Sequence, residues 1–151
     1  MKVVVQRVTR ACVRVDGEVV GECGAGMMCL LGVMRGDGEA EVQRLADKVA
    51  RFRMFPDDSD RMNLAALDCG AEALVVSQVT LAADGRKGRR PSLDRAAEPR
   101  LAEALYESFA GALRERGLTV ATGVFGARME VELVNDGPVT FVLEELPAAS
   151  D

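Results

Sequence analysis

Eight residues near the end of the chain, Val134-Asn135-Asp136-Gly137-Pro138-Val139-Thr140-Phe141, carry turn chemistry between two strand-like runs. Glycine takes backbone angles closed to other residues, and a bond to proline is the one for which the cis form costs little. Two readings follow. One is an ordinary hairpin turn, for which Asn, Asp, Gly and Pro are the usual residues. The other is a sharp corner at Gly137-Pro138 that points two carbonyls the same way. Both place β-structure on either side of it.

The rest of the chain reads as an α+β fold. Residues 2–8 and 10–15 have strand character, and Asp16-Gly17 is a two-residue hairpin signal leading into Glu18-Val19-Val20, so the sheet begins antiparallel. Gly24-Ala25-Gly26 lacks a third glycine and a following helix, and reads as a turn rather than a dinucleotide loop. Met27 to Met34 is nearly all apolar, as in a central strand buried on both faces. Asp37 is placed to cap a helix in which Val42, Leu45, Ala46, Val49 and Phe52 share one face, with Arg44, Lys48 and Arg51 solvated opposite. Residues 73–80 form a second buried strand with a polar end. Leu101, Leu105, Phe109 and Leu113 define a second amphipathic helix over residues 99–117, with Pro near its start and Gly at its end. Strands are expected at 118–123, 128–134 and 139–145. The architecture is a mainly antiparallel, strongly curved, barrel-like sheet with two principal helices on one side. Residues 1–146 form one domain and 147–151 a loose tail.

The absence of histidine excludes more chemistry than any motif assigns. Without it there is no Ser-His-Asp or Cys-His catalysis, no histidine metal ligand and no imidazole base. Cys12, Cys23, Cys29 and Cys69 lack paired spacing and read as small buried hydrophobes. Asp57, Asp58 and Asp60 lack the glycine and distal glutamate of a calcium loop. No metal and no cofactor is expected. With no apolar run long enough to span a membrane, the chain is expected to be cytoplasmic. A net charge of −5 argues against coating nucleic acid indiscriminately, so any such partner needs a local basic patch. Arg86, Lys87, Arg89 and Arg90 supply four cations within five residues, between glycines that let backbone approach a phosphate. The alternative is a surface loop with incidental charge.

Ser77-Gln78-Val79-Thr80-Leu81 and Asn135-Asp136-Gly137-Pro138-Val139-Thr140, in this order and separation, resemble the hallmarks of the D-aminoacyl-tRNA deacylases. These are dimeric hydrolases that free tRNA from mischarged D-amino acids. The resemblance runs from Val4-Val5-Gln6-Arg7-Val8 to about Leu143 and includes Gly123-Val124-Phe125-Gly126-Ala127-Arg128-Met129. It implies a catalytic segment of Ser77, Gln78, Val79 and Thr80, in which the backbone amides of Val79 and Thr80 face the substrate carbonyl and the ribose 2′-hydroxyl assists. It also implies that Gly137-Pro138 is cis and enters the partner subunit's site. There the carbonyls of Gly137 and Phe125 hold the substrate ammonium, with Phe125 and Met129 in the pocket wall. Glycyl-tRNA should be cleaved too, having no side chain to exclude. The partners implied are the 3′ end of aminoacyl-tRNA, contacted by Arg86, Lys87, Arg89 and Arg90, and a second copy of the chain; neither membrane nor DNA is expected. Val79 departs from the family pattern, where Phe is usual, which bears on packing around the terminal adenosine rather than on the reaction. Three competing readings are a Thr80 nucleophile, a non-catalytic RNA-binding dimer, and a metal-dependent hydrolase built on Asp57, Asp58 and Asp60.

Overall fold

A computed structural model describes residues 1–149; Ser150 and Asp151, the end of the expected tail, lie outside the described residues. The first strand, β1 (Lys2–Val15), is the axis of the sheet. β2 (Glu18–Cys23) and β3 (Gly26–Gly32) pair antiparallel with its second and first halves, from Ala11↔Cys23 to Val15↔Glu18 and from Lys2↔Gly32 to Val8↔Gly26. β8 (Glu130–Glu144) pairs antiparallel with almost its whole length. Beyond β3 lie β6 (Glu72–Ser77) and β7 (Val120–Thr122), both joined in parallel. Parallel neighbours need a crossover connection. Here the crossovers carry α1 (Glu39–Arg51) and α3 (Pro99–Glu115). The sheet is therefore mixed with antiparallel pairs in the majority. β4 (Phe55–Pro56), β5 (Met62–Leu64) and α2 (Ala66–Cys69) form a small excursion between α1 and β6.

Where the sequence reads two strands around Thr9, the structure has one. Val8 pairs with Asn135 and Arg10 with Val134, so Thr9 is an extra residue in β1. An extra residue flips the side chains that follow to the other face. Val3 and Val5 accordingly belong to the core beneath the helices, whereas Ala11 and Val13 belong to a second core inside the curl of the sheet. The first core brings Met27, Cys29 and Val75 against Val42, Leu45 and Val49 of α1 and against Leu105, Phe109 and Leu113 of α3. The second packs Met28, Leu74 and Val76 around Val13. β3 and β6 are thus buried on both faces, as their continuous apolar sequences predict, and both principal helices lie on one face of the sheet.

Asp37 differs from its expected role. Gly38 is the N-cap of α1, and the Glu41 carboxylate accepts its amide at 2.8 Å. The buried Asp37 carboxylate instead accepts the Met34 amide at 2.7 Å and the ammonium of Met1 at 2.7 Å. A buried charge is tolerated only when paired and hydrogen-bonded, and both oxygens are used here. Cys12, Cys23 and Cys29 are buried, with burial pushing the Cys23 and Cys29 thiols up to about 11 and about 12, but Cys69 is exposed at the end of α2.

The sheet curls until β2 faces β7. Contact there is made by backbone: a Cβ on Gly21 would lie 2.2 Å from the Thr122 carbonyl oxygen. Gly21→Ala is therefore expected to destabilise the protein by roughly 1–3 kcal/mol through overpacking, read from the urea unfolding midpoint. Val20→Ala at an exposed neighbouring position should change it by no more than about 0.5 kcal/mol.

Candidate functional site

β3 and β6 end side by side at Leu31↔Ser77. The Gln78 amide donates to the Leu31 carbonyl at 2.7 Å, and the chain then leaves the sheet in a short 3-10 turn over Val79–Ala82. Sequence alternation carries the strand to Thr80; the structure ends it at Ser77. The reason is Gly32: a Cβ there would stand 2.8 Å from Leu81 Cβ, so only glycine lets the turn fold back against β3. The turn is closed by Leu81 N–H on the Gln78 carbonyl at 3.2 Å and Ala83 N–H on the Thr80 carbonyl at 3.0 Å. The amides of Val79 and Thr80 precede these bonds, and neither has an acceptor among the described residues. They are the orphan donors that open any helical turn.

The Gln78 side-chain amide donates to Thr80 Oγ1 at 2.6 Å. A hydroxyl that accepts a bond from an amide gains no basic neighbour by it, and among the described residues no carboxylate or amine is hydrogen-bonded to Thr80. Nothing there makes the hydroxyl a nucleophile.

Ser77, Gln78 and Val79 line a pocket of about 480 Å³ together with Phe125 and Met129, so five of the residues singled out from sequence meet in one hollow. Its opposite rim is the start of α3, with Ala97, Pro99 and Ala102. Val79 is half exposed at the mouth. The wall formed by residues 123–129 follows β7 and is not paired in the sheet. Gly123 admits Met129 into this wall, since a Cβ there would come within 2.7 Å of the Met129 sulfur.

Gly137 and Pro138 do not line that pocket. Both are exposed, in a bulge where residues 136–139 of β8 stand opposite the single residue Arg7. The segment is neither a hairpin turn nor a break between strands but a protrusion in one continuous strand, and its Gly137-Pro138 bond is cis. Asn135 braces it, its amide donating to the carbonyls of Arg7 at 2.9 Å and Val139 at 3.0 Å, while Arg7 Nε donates to the Asp136 carbonyl at 3.0 Å. Within one chain the protrusion and the pocket are separate features.

The basic loop follows the 3-10 turn directly and is closed by paired backbone bonds between Asp84 and Ser92 at 2.8 and 3.0 Å. Arg86 is not free: Asp84 accepts its amide, Nε and Nη2 at 2.5–2.9 Å. Lys87, Arg89 and Arg90 are exposed, and among the described residues none has a carboxylate partner. Asp57, by contrast, is committed to structure, its carboxylate accepting the Ser59 and Arg61 amides at 2.8 and 3.1 Å. Among the described residues no three acidic or thiol side chains are grouped to hold a metal ion, and no helix is long and apolar enough to cross a membrane. Gly32, Gly123 and Tyr106, which backs Phe125, were not foreseen. A glycine closing a buried apolar strand is a recognisable sign of close backbone approach; Tyr106 reads only as one more residue of an amphipathic helix.

Residues 4–144 match the family model described as D-Tyr-tRNA(Tyr) deacylase. A D-aminoacyl-tRNA deacylase of Anaeromyxobacter dehalogenans (strain 2CP-C) is 57% identical over 144 residues, covering 95% of this chain and 97% of the relative. A solved structure titled c-Myc DNA Unwinding Element Binding Protein is 40% identical with a TM-score of 0.92, over 97% of this chain and 99% of that one. A probable eukaryotic D-amino acid tRNA deacylase superposes with a TM-score of 0.78 at 17% identity, over 94% of this chain and 97% of that one, a likeness of fold. The fold and these relatives mark a hydrolase acting on aminoacyl-tRNA esters. The chain belongs to the D-Tyr-tRNA(Tyr) deacylase family.

The Asp84–Arg86 pair has a direct test. The Arg86 guanidinium holds the Asp84 carboxyl down to about 2, from an ordinary 3.8. The folded carboxyl keeps its charge to lower pH than an unfolded one, so the pairing adds stability above the ordinary value and loses it as pH falls through about 2. In a 13C carboxylate titration Asp84 should therefore titrate near the lower value, and Arg86→Gln should return it toward about 3.9.

Proposed function

We propose that this chain hydrolyses the ester of D-aminoacyl-tRNA, releasing the D-amino acid and tRNA, in a pocket completed by a second copy of the chain. The observation that carries this reading is the pair of unpartnered amides at Val79, which lines a pocket with Ser77, Gln78, Phe125 and Met129, and at Thr80, the next residue of the turn. An aminoacyl ester is already labile, so orienting it and stabilising the developing oxyanion supplies much of the acceleration. Water adds to the carbonyl carbon and the bond to the ribose 3′-oxygen breaks. That oxygen takes up a proton, with the neighbouring 2′-hydroxyl assisting. A chain without histidine can run this reaction because it asks no side chain to carry the proton.

Chirality is set by backbone. Gly137 and Pro138 of one copy enter the pocket of the other, and the carbonyls of Gly137 and Phe125 hold the substrate ammonium. An L side chain then collides with main chain, whereas the D side chain and the lone hydrogen of glycine do not. What supports this is exposure: the protrusion stands clear of its own chain's pocket, on a strand that also exposes Val131, Val134 and Val142. Rejection by collision and by missing hydrogen bonds discriminates strongly, because no spare space receives the wrong isomer. The reaction belongs in the cytoplasm, where charged tRNA is made and used.

The purified protein should cleave D-tyrosyl- and glycyl-tRNA and spare L-tyrosyl-tRNA, with or without a chelator, and should sediment as a dimer. Thr80→Ala should keep its rate within about tenfold, the cost of one ordinary hydrogen bond. A fully active monomer, equal cleavage of both isomers, or a Thr80→Ala enzyme inactive by orders of magnitude would each overturn part of this reading.

Lys87, Arg89 and Arg90, the cations left without carboxylate partners, bind phosphates near the tRNA 3′ end. Replacing the three by Gln should raise KM and leave kcat unchanged. It should also lower the slope of log KM against log salt by roughly 0.7 for each phosphate no longer neutralised. An unchanged slope would return the loop to incidental surface charge.

A further inference from the structure

The wall made by residues 123–129 has hollow space on both sides. Phe125 lines the pocket of about 480 Å³ on one side and a second hollow of about 320 Å³ on the other, between α3 and the end of β7. Phe125 packs on the first core and Met129 on the second, but the space on both sides leaves the wall fewer neighbours to set its position, because each missing neighbour removes van der Waals attraction outright. Its backbone ties are also sparse: the Gly123 amide donates to the Val75 carbonyl at 3.1 Å, and the Ala127 amide to the Val124 carbonyl at 3.2 Å.

One side chain spans this gap. Tyr106 of α3 is buried, and its hydroxyl stands 3.1 Å from the Val75 carbonyl oxygen and 3.5 Å from that of Gly123. Its one proton goes to the nearer oxygen, the same Val75 carbonyl that receives the Gly123 amide, so the hydroxyl and the start of the wall share one acceptor on β6. Its ring lies 5.9 Å from that of Phe125, inclined by 41°. The hydroxyl fixes where the wall leaves the sheet, and the ring fixes the residue that faces the pocket. Removing the hydroxyl takes away the one side-chain hydroxyl that reaches the wall among the described residues, 3.5 Å from the Gly123 carbonyl oxygen, together with its bond to the acceptor that the Gly123 amide shares.

We infer that Tyr106 is a positioning residue for substrate binding: through Gly123 and Phe125 it sets the wall of residues 123–129 against the pocket. The inference rests on the pocket being the deacylation site and concerns how the substrate's amino-acid end is held there. Tyr106 touches no reacting atom, so its loss acts on binding more than on turnover.

Tyr106→Phe keeps the ring and removes the hydroxyl. The KM for D-tyrosyl-tRNA should rise threefold to tenfold, about the effect of one hydrogen bond, with kcat within about twofold of wild type. A merely structural role would reduce the amount of folded enzyme, lowering apparent kcat and leaving KM in place. Calorimetry with a non-hydrolysable D-tyrosyl-3′-amido-adenosine gives a second reading: its stoichiometry counts folded sites even in a poorly folding variant, and its Kd should rise by the same factor. An unchanged KM and Kd in Tyr106→Phe, with an active wild type, overturns the inference alone. A wild type that binds neither substrate nor mimic overturns the reading beneath it as well.

Discussion

Everything in this fold depends on β1 being paired along both edges. Its ladder with β8 runs from Lys2↔Glu144 to Arg14↔Glu130, while β2 and β3 share its other side. Because Thr9 is an extra residue in that ladder, one strand supplies Val3 and Val5 to the core under the helices and Ala11 and Val13 to the core inside the curl. The extra residue thus moves the odd-numbered side chains of β1 from one core to the other. The same ladder makes room for the Gly137-Pro138 protrusion, since residues 136–139 have only Arg7 opposite them.

The candidate site is assembled from backbone more than from side chains. Gly32 admits the 3-10 turn, the turn leaves the Val79 and Thr80 amides without partners, and Gly123 admits Met129. Amides held this way are preorganised: their direction is set by the sheet beneath them, so none need reorient as charge develops. The Val79 side chain forms only part of the pocket mouth, while its backbone amide belongs to the turn.

Charge is arranged locally against an acidic whole. Asp84 neutralises Arg86 while closing the loop, which leaves Lys87, Arg89 and Arg90 as the cations open to a partner. Elsewhere the ion pairs are structural: Glu132 between Arg10 and Arg14 ties β8 to β1, and Glu145 with Arg44 and Lys48 ties the end of β8 to α1. A count of cations in sequence does not separate these roles, because pairing depends on which carboxylate the fold brings near.

Sequence alone determined the elements whose signal is local. The continuous apolar runs of β3 and β6 and the period of α1 and α3 have the faces their residues predict, since burial of one face or two is written in the residue pattern itself. The Ser77-Gln78-Val79 stretch likewise fell on the pocket lining. Tertiary structure decided what depends on residues far apart in the chain. Gly32 ended β6 at Ser77 through its close approach to Leu81; Met1 took Asp37 away from the helix cap; and pairing with β1 turned an apparent corner at Gly137-Pro138 into a bulge. Such outcomes rest on distances between residues that no local pattern encodes. The separation of the protrusion from the pocket within one chain is of the same kind.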